Sequence, residues 1–202
     1  MEALAQPAER GSAARAAAGA RERLLAAALA RFQADGAIAA TLEDIRRDAG
    51  VSVGALYHHF PDKTALAAAL YGELIDDFQD GFLAQLREHT SAEQGVKDGV
   101  RCYLRWVGQH RAAAAFLLSE RPQGAGLRER DRRFFAAVMA WWRTHVHYRQ
   151  LRELPLPVIN AIWLGPAHEY VRHWLAGTDG QIPRSVTSTL AETAWRSLKE
   201  ER

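Results

Sequence analysis

The run Thr41-Leu-Glu-Asp-Ile-Arg-Arg-Asp-Ala-Gly-Val-Ser-Val-Gly-Ala-Leu-Tyr-His-His-Phe-Pro-Asp-Lys63 reads as two short helices joined by a tight turn. Thr41 and Asp44 have the spacing of a capping box, in which the Thr hydroxyl accepts from an orphan amide and Asp44 reaches back. Ile45 and Ala49 recur at helical spacing. Gly50 follows as the residue best able to take the left-handed conformation that ends a helix. A second helix over 53–60 is stopped by Pro61. Small Ala49 permits close helix crossing, and Val51, Leu56 and Phe60 supply the apolar contacts.

Two helices in this arrangement form a helix-turn-helix, the unit that lays a helix into the DNA major groove. The run Ala49-Gly-Val-Ser-Val-Gly-Ala-Leu-Tyr-His-His-Phe-Pro-Asp-Lys-Thr-Ala-Leu66 resembles the signature of the tetracycline-repressor (TetR) family of bacterial transcription regulators. The strong resemblance covers roughly residues 20 to 70. Beyond it the chain is similar to the family in length and helical character only. The resemblance implies a cytoplasmic homodimer that binds double-stranded operator DNA and, as a repressor, is released by a small, largely apolar or aromatic effector. It implies no enzyme activity and no cofactor. Carried over by position, Ser52, Val53, Gly54, Ala55, Tyr57 and His58 face DNA, while Thr41, His59 and Lys63 set register on phosphates. The base-facing residues are small and apolar, so readout would rest on thymine methyls, backbone groups and Ser52.

Outward from this stretch, the 202 residues suffice for a small domain fused to a larger one. Apolar residues near half and charged residues at one quarter mark a globular chain, and Arg and Glu interrupt every long apolar stretch, which argues against a membrane span. A single cysteine, Cys102, excludes an internal disulfide and fits a reducing cytoplasm; a buried, inert thiol is its default reading. Charge alone gives no sign of nucleic acid. The net charge is +2, and residues 1 to 63 hold eight Lys/Arg against eight Asp/Glu. Arg10, Arg15, Arg21 and Arg23 cluster locally, either touching phosphates or forming a solvated face.

The expected organisation is all-α with about nine helices. Residues 1–20 form a disordered, Ala-rich arm without the apolar core of a signal peptide. Residues 21–68 form the DNA-binding domain, and residues 69–202 a helical effector-binding and dimerisation domain. A first helix, begun near Ala13 or Arg21, buries Leu25, Ala28, Leu29 and Phe32 and ends at Asp35-Gly36. Asp62 caps a long helix carrying Leu66, Leu70, Leu74, Phe78 and Phe82. Lys63 in its first turn opposes the macrodipole at about 0.3–1 kcal/mol, a cost that a bound phosphate would reverse. The other reading is an exposed Lys tolerated at that cost.

Further on, Val96, Val100, Tyr103, Leu104 and Val107 line a helix reaching about His110. A short helix with Phe116 and Leu117 ends at Arg121-Pro122, and Gln123–Gly126 is a loop. A long helix carries Phe134, Phe135, Val138, Met139, Trp142 and Val146. Pro155 and Pro157 start another, kinked near Ile162 to Pro166, and a last helix carries Val186, Leu190, Ala194 and Leu198.

In relatives these helices enclose the effector, which makes Tyr103, Trp106, Phe116, Phe135, Met139, Trp142, Trp163 and Tyr170 candidate pocket residues, with His110, His145 and His168 as polar partners beside Glu169. Aromatic residues at helical spacing are equally what a core needs. Ala161, Ile162, Gly165, Leu190, Ala191 and Ala194 make a candidate dimer seam, and they also suit the domain's own core. His145, His147 and His168 do not converge on one ion, so metal is not expected. An activator, a protein-controlled regulator, or a helical carrier or enzyme are the alternative functions. The last lacks a nucleophile–base pair or phosphate loop.

Overall fold

The structure is a computed structural model that describes residues 7–119, 125–177 and 180–201, with side chains from Gly19 onward apart from Ala37 and Ala125. It is all-α. Ten helices follow in order: α1 (Pro7–Ala39), α2 (Leu42–Ala49), α3 (Val53–His59), α4 (Lys63–Glu88), α5 (Ala92–Gln109), α6 (Arg111–Ser119), α7 (Ala125–His147), α8 (Leu156–Trp163), α9 (Gly165–Gly177) and α10 (Arg184–Leu198). Among the described residues there is no strand, only an isolated antiparallel bridge between Leu151 and Lys199. The chain divides into two compact units, Met1–Glu73 with Ser119–Pro122, and Leu74–Leu118 with Gln123–Arg202.

In the first unit α1 starts at Pro7, so residues 7–20, expected as part of a disordered arm, are helical. The cause is composition. Alanine has the highest helix propensity, and proline tolerates the first turn. Residues 1–6 lie outside the described residues. Gly36 breaks α1 near its end with φ 79° and ψ 154°, a conformation open essentially to glycine alone. Leu24, Leu25, Ala28 and Phe32 of α1 are buried, as are Ile45, Ala49, Leu56 and Phe60, and Leu66 and Leu70 of α4.

In the second unit α10 packs most extensively on α5. Lys97 ties the two, its Nζ lying 2.5 Å from Glu93 and 2.6 Å from Glu192. The core gathers Phe82, Val96, Val100, Tyr103, Trp142, Trp163, Val171 and Leu198. Two α5 glycines admit indoles: a Cβ at Gly95 would lie 2.3 Å from Trp141, and one at Gly99 would lie 2.7 Å from Trp163. The Trp163 Nε1–H donates to the Val96 carbonyl at 2.8 Å, so the ring that fills this gap also satisfies its polar atom.

The predicted kink falls at Leu164, which keeps right-handed helical angles and still bonds the Asn160 carbonyl at 3.1 Å. α8 ends at Trp163, Leu164 sits between, and α9 restarts at Gly165, which turns one expected helix into two and nine into ten. Pro166 has no N–H to give, so the ladder lapses there. The predicted end of α6 at Arg121-Pro122 lies outside the described residues, as does the first half of the Gln123–Gly126 loop. Its second half, Ala125 and Gly126, belongs to α7.

Candidate nucleic-acid interface

The turn between α2 and α3 is built from caps. The Thr41 hydroxyl accepts from the Asp44 amide at 3.1 Å and donates to Asp44 Oδ2 at 2.5 Å. Asp44 therefore reaches back, its carboxylate accepting from the Thr41 hydroxyl. Gly50 closes α2 at φ 61°, with its N–H directed at the Arg46 and Arg47 carbonyls. Arg46 then pins the turn, donating from Nη1 to the Val51 carbonyl at 2.7 Å while its other nitrogens hold Glu43. Ser52 caps α3, its Oγ accepting from the Ala55 amide at 3.2 Å. Its hydroxyl proton stays available. Helix α3 stops one residue before the predicted end because Phe60 turns extended ahead of Pro61.

One face of α3 is open. Leu56 is buried, whereas Ser52, Val53, Gly54, Tyr57 and His58 are exposed, with Ala55 and His59 half-buried. Val53 is 54% and Tyr57 56% exposed, values far from those of core side chains of this kind. A Cβ added at Gly54 would meet no described atom within 4 Å, so nothing inside the fold requires glycine there. The nine residues expected at DNA thus lie on α3 and its flanks, Thr41 before α2 and Lys63 at the start of α4.

Two of the nine are already engaged. Lys63 Nζ donates to the Ile38 carbonyl at 2.9 Å and the Ala40 carbonyl at 3.1 Å, which occupies two of its three hydrogens. The ammonium thereby closes the end of α1. Thr41 has given its one hydroxyl proton to Asp44, and a phosphate oxygen, being an acceptor, would have to win it back.

Among the described residues of this unit several arginines are ion-paired, while Arg23 donates to the Ala49 carbonyl at 3.1 Å. Arg31 binds Asp48, with Nη2 to Oδ1 at 2.9 Å, and also Asp35; Arg21 binds Glu73; Arg46 binds Glu43. These contacts hold the Asp48 and Glu43 carboxyls below their ordinary values, through the hydrogen bond from Arg31 in one case and from Arg46 in the other. Arg47 is the looser cation. It is 65% exposed, with Glu43 at 3.8 Å and Asp44 at 3.5 Å, and sequence reasoning did not single it out. Its place in the last turn of α2 was the available signal.

The remaining site expectations fall in the second unit. Tyr103, Phe116, Trp142, His145 and Trp163 are buried; Trp106, Phe135, Met139, His168 and Tyr170 are half-buried; His110 is exposed. Tyr103, Trp142 and Trp163 belong to the core, with Trp106, Phe135, Met139 and Tyr170 packed against it. Two open clefts of about 680 and 600 Å³ are lined by other residues: Ser91, Arg149, Trp195 and Lys199 in one, Asp76, Asp80, Arg130 and Arg133 in the other. Of the dimer candidates, Ala161 is exposed, and Ile162, Gly165 and Leu190 are half-buried. Ala191 and Ala194 are buried in their own unit at 0% and 3% exposure, so they have no surface to offer a partner. Burial pushes the Cys102 thiol up, away from the reactive thiolate. Among the described residues no group of three His, Cys, Asp or Glu gathers that could hold a metal.

A capped two-helix unit with one open, small-residue helix face defines a helix-turn-helix protein, and the comparisons specify the class. Residues 24–70 match the family described as bacterial regulatory proteins, tetR family. The fold is similar to that of a TetR family transcription regulator from Marinobacter aquaeolei VT8, with TM-score 0.77 and 16% identity over 91% of this chain and 97% of that one. It is also similar to a bacterial regulatory protein in the tetR family from Rhodococcus RHA1, with TM-score 0.71 and 21% identity over 91% of this chain and 98% of that one. Segment 24–70 thus matches the tetR family of bacterial regulatory proteins, and the chain shares the fold of these regulators along its length.

Proposed function

We propose that the protein is a homodimeric repressor that reads double-stranded operator DNA with α3 and is released by a small, largely apolar effector. The open face of α3 carries this reading: Ser52, Val53, Gly54, Tyr57 and His58 are presented outward on a helix whose other side, at Leu56, is locked into the core. Direct readout rests on Val53 and Ala55 against thymine methyls and on Ser52 as a donor. Tyr57, His58, His59 and Arg47 serve the phosphates. Lys63 and Thr41 act one step back, holding the ends of α1 and α2 in register.

One such helix reads only a few base pairs, so two copies on a two-fold axis engage successive major-groove faces about 34 Å apart or somewhat more. The self-complementary surface runs over the outward side of α8, the start of α9 and α10, through Val158, Ala161, Ile162, Gly165 and Leu190. Ala191 and Ala194 support it from beneath. Effector binding in the second unit shifts α4, which is continuous from Lys63 to Glu88, toward a state that no longer fits two grooves.

The test is to select DNA fragments bound by the full chain and footprint the protein on them. A two-fold protected pattern with half-sites one helical turn or more apart supports the reading. A single unsymmetrical footprint from a monomer sinks the dimer, and affinity unchanged at a saturating bound ligand sinks the release mechanism.

A further inference from the structure

Tyr103 on α5 is 5% exposed, and its hydroxyl has no hydrogen-bond partner among the described residues. Leaving such a group unpaired is unfavourable, so an orphaned hydroxyl in a packed core calls for a partner from outside the chain. Its surroundings narrow the choice. The His168 ring on α9 lies 4.5 Å from the Tyr103 ring between centroids, tilted by 38°. Phe78 on α4 meets Tyr103 edge-on at 5.8 Å and Trp106 at 5.5 Å. Trp106 is itself satisfied, donating to Asp77 at 2.8 Å.

His168 Nδ1 lies 2.9 Å from the Leu164 carbonyl, an acceptor, so the proton sits on Nδ1. In the neutral ring Nε2 is then a lone pair, and no described residue donates to it. Burial favours that neutral form. The pair therefore offers a phenolic donor and an imidazole acceptor within one aromatic enclosure. A carboxylate would meet the Nε2 lone pair and be repelled, and a hydrocarbon would leave both groups unpaired. Among organic groups a hydroxyl accepts from one and donates to the other through a single oxygen, as a water would.

We propose that the Tyr103–His168 pair binds the hydroxyl group of an otherwise apolar small molecule, a phenol or an alcohol, whose hydrocarbon part packs on Phe78 and Trp106. The hydroxyl oxygen accepts from Tyr103 Oη, and its proton is donated to His168 Nε2. This rests on the effector-controlled reading above and names the effector's chemical class.

The test is calorimetric titration of the full-length protein, without DNA, with 4-butylphenol, 1-octanol, butylbenzene and 4-butylbenzoate. One or both hydroxyl compounds should bind more tightly than butylbenzene and 4-butylbenzoate. Tyr103→Phe should weaken that binding about ten-fold, the loss of one hydrogen bond, and leave butylbenzene unchanged. The same variant, free of ligand, should unfold at the same temperature or higher, because it deletes an unpaired group. Equal binding of all four compounds, or of none, overturns the assignment. So does a Tyr103→Phe protein that is less stable without ligand, which would mean that a buried water already satisfies the hydroxyl. Tyr103-dependent binding that leaves DNA affinity unchanged supports this site and fails the release mechanism. DNA release by compounds indifferent to Tyr103→Phe does the reverse.

Discussion

Gly54 is a residue that its own fold does not need. In a helix, Gly is destabilising by about 0.5–1 kcal/mol relative to Ala, and here a methyl group would enter open space. Gly54→Ala should therefore stabilise the protein by roughly that amount while weakening DNA binding, because the methyl would stand between α3 and the groove. Thermal unfolding and fragment affinity, measured on the same variant, should move in opposite directions; equal affinity would remove Gly54 from the interface. Lys63 presents the converse case. Its ammonium closes the end of α1, so Lys63→Met should lower stability by about 1–2 kcal/mol for two lost charge-assisted bonds. The salt dependence of DNA binding should keep its slope. A slope reduced by about one unit would return Lys63 to the phosphates. Sequence could not expose this, since the acceptors Ile38 and Ala40 lie 25 and 23 residues earlier and are backbone carbonyls, which no side-chain pattern announces.

At the scale of elements, local signals were legible and packing was not. The caps at Thr41 and Asp62, the left-handed Gly50 and the approximate ends of α3 and α5 follow from residues within a turn of one another, while the caps at Ser52 and Ser91 emerged only in the structure. What needed the structure was the identity of each filled space. Trp142 and Trp163 have the same helical spacing whether they line a cavity or fill it, and Gly95 and Gly99, the hollows that receive Trp141 and Trp163, carry no signal of their own. Ala191 and Ala194 likewise fit a dimer seam and a core equally well until burial decides. The glycines give a measurable consequence. Gly99→Ala forces the Trp163 indole to move and should cost about 1–3 kcal/mol, an overpacking effect, whereas Gly108→Ala on the same helix meets open space and should stabilise, as at Gly54. Urea unfolding of the two variants side by side checks this.

Across the whole molecule, ion pairs recur among the described residues, so stability should depend on pH through them. Lys97 holds the Glu192 carboxyl below its ordinary value of 4.5, through their hydrogen bond first. A carboxyl depressed in the folded state contributes stability present above 4.5 that disappears as pH falls through the folded value. Glu192→Gln should accordingly leave less acid sensitivity below pH 4.5 than the parent shows. His168, depressed by burial from 6.5, contributes likewise: stability should decline as pH drops below 6.5, and His168→Phe should remove that part of the decline. Among the described residues near α3, Arg31 and Arg46 are ion-paired while Arg23 and Lys63 bond backbone carbonyls and keep their charge, so shape, dipoles and two-fold repetition act beside a local cationic contribution.

The most direct measurement uses Val53. At 54% exposure on α3, Val53→Glu leaves the core untouched, and a carboxylate in the first helical turn agrees with the helix dipole, so the protein should fold as before. Against phosphates and base edges it is repulsive. Pull-down of genomic fragments by the parent and the variant, with matched unfolding curves, should give discrete fragments retained by the parent and lost by Val53→Glu. Equal retention by both proteins would contradict the account.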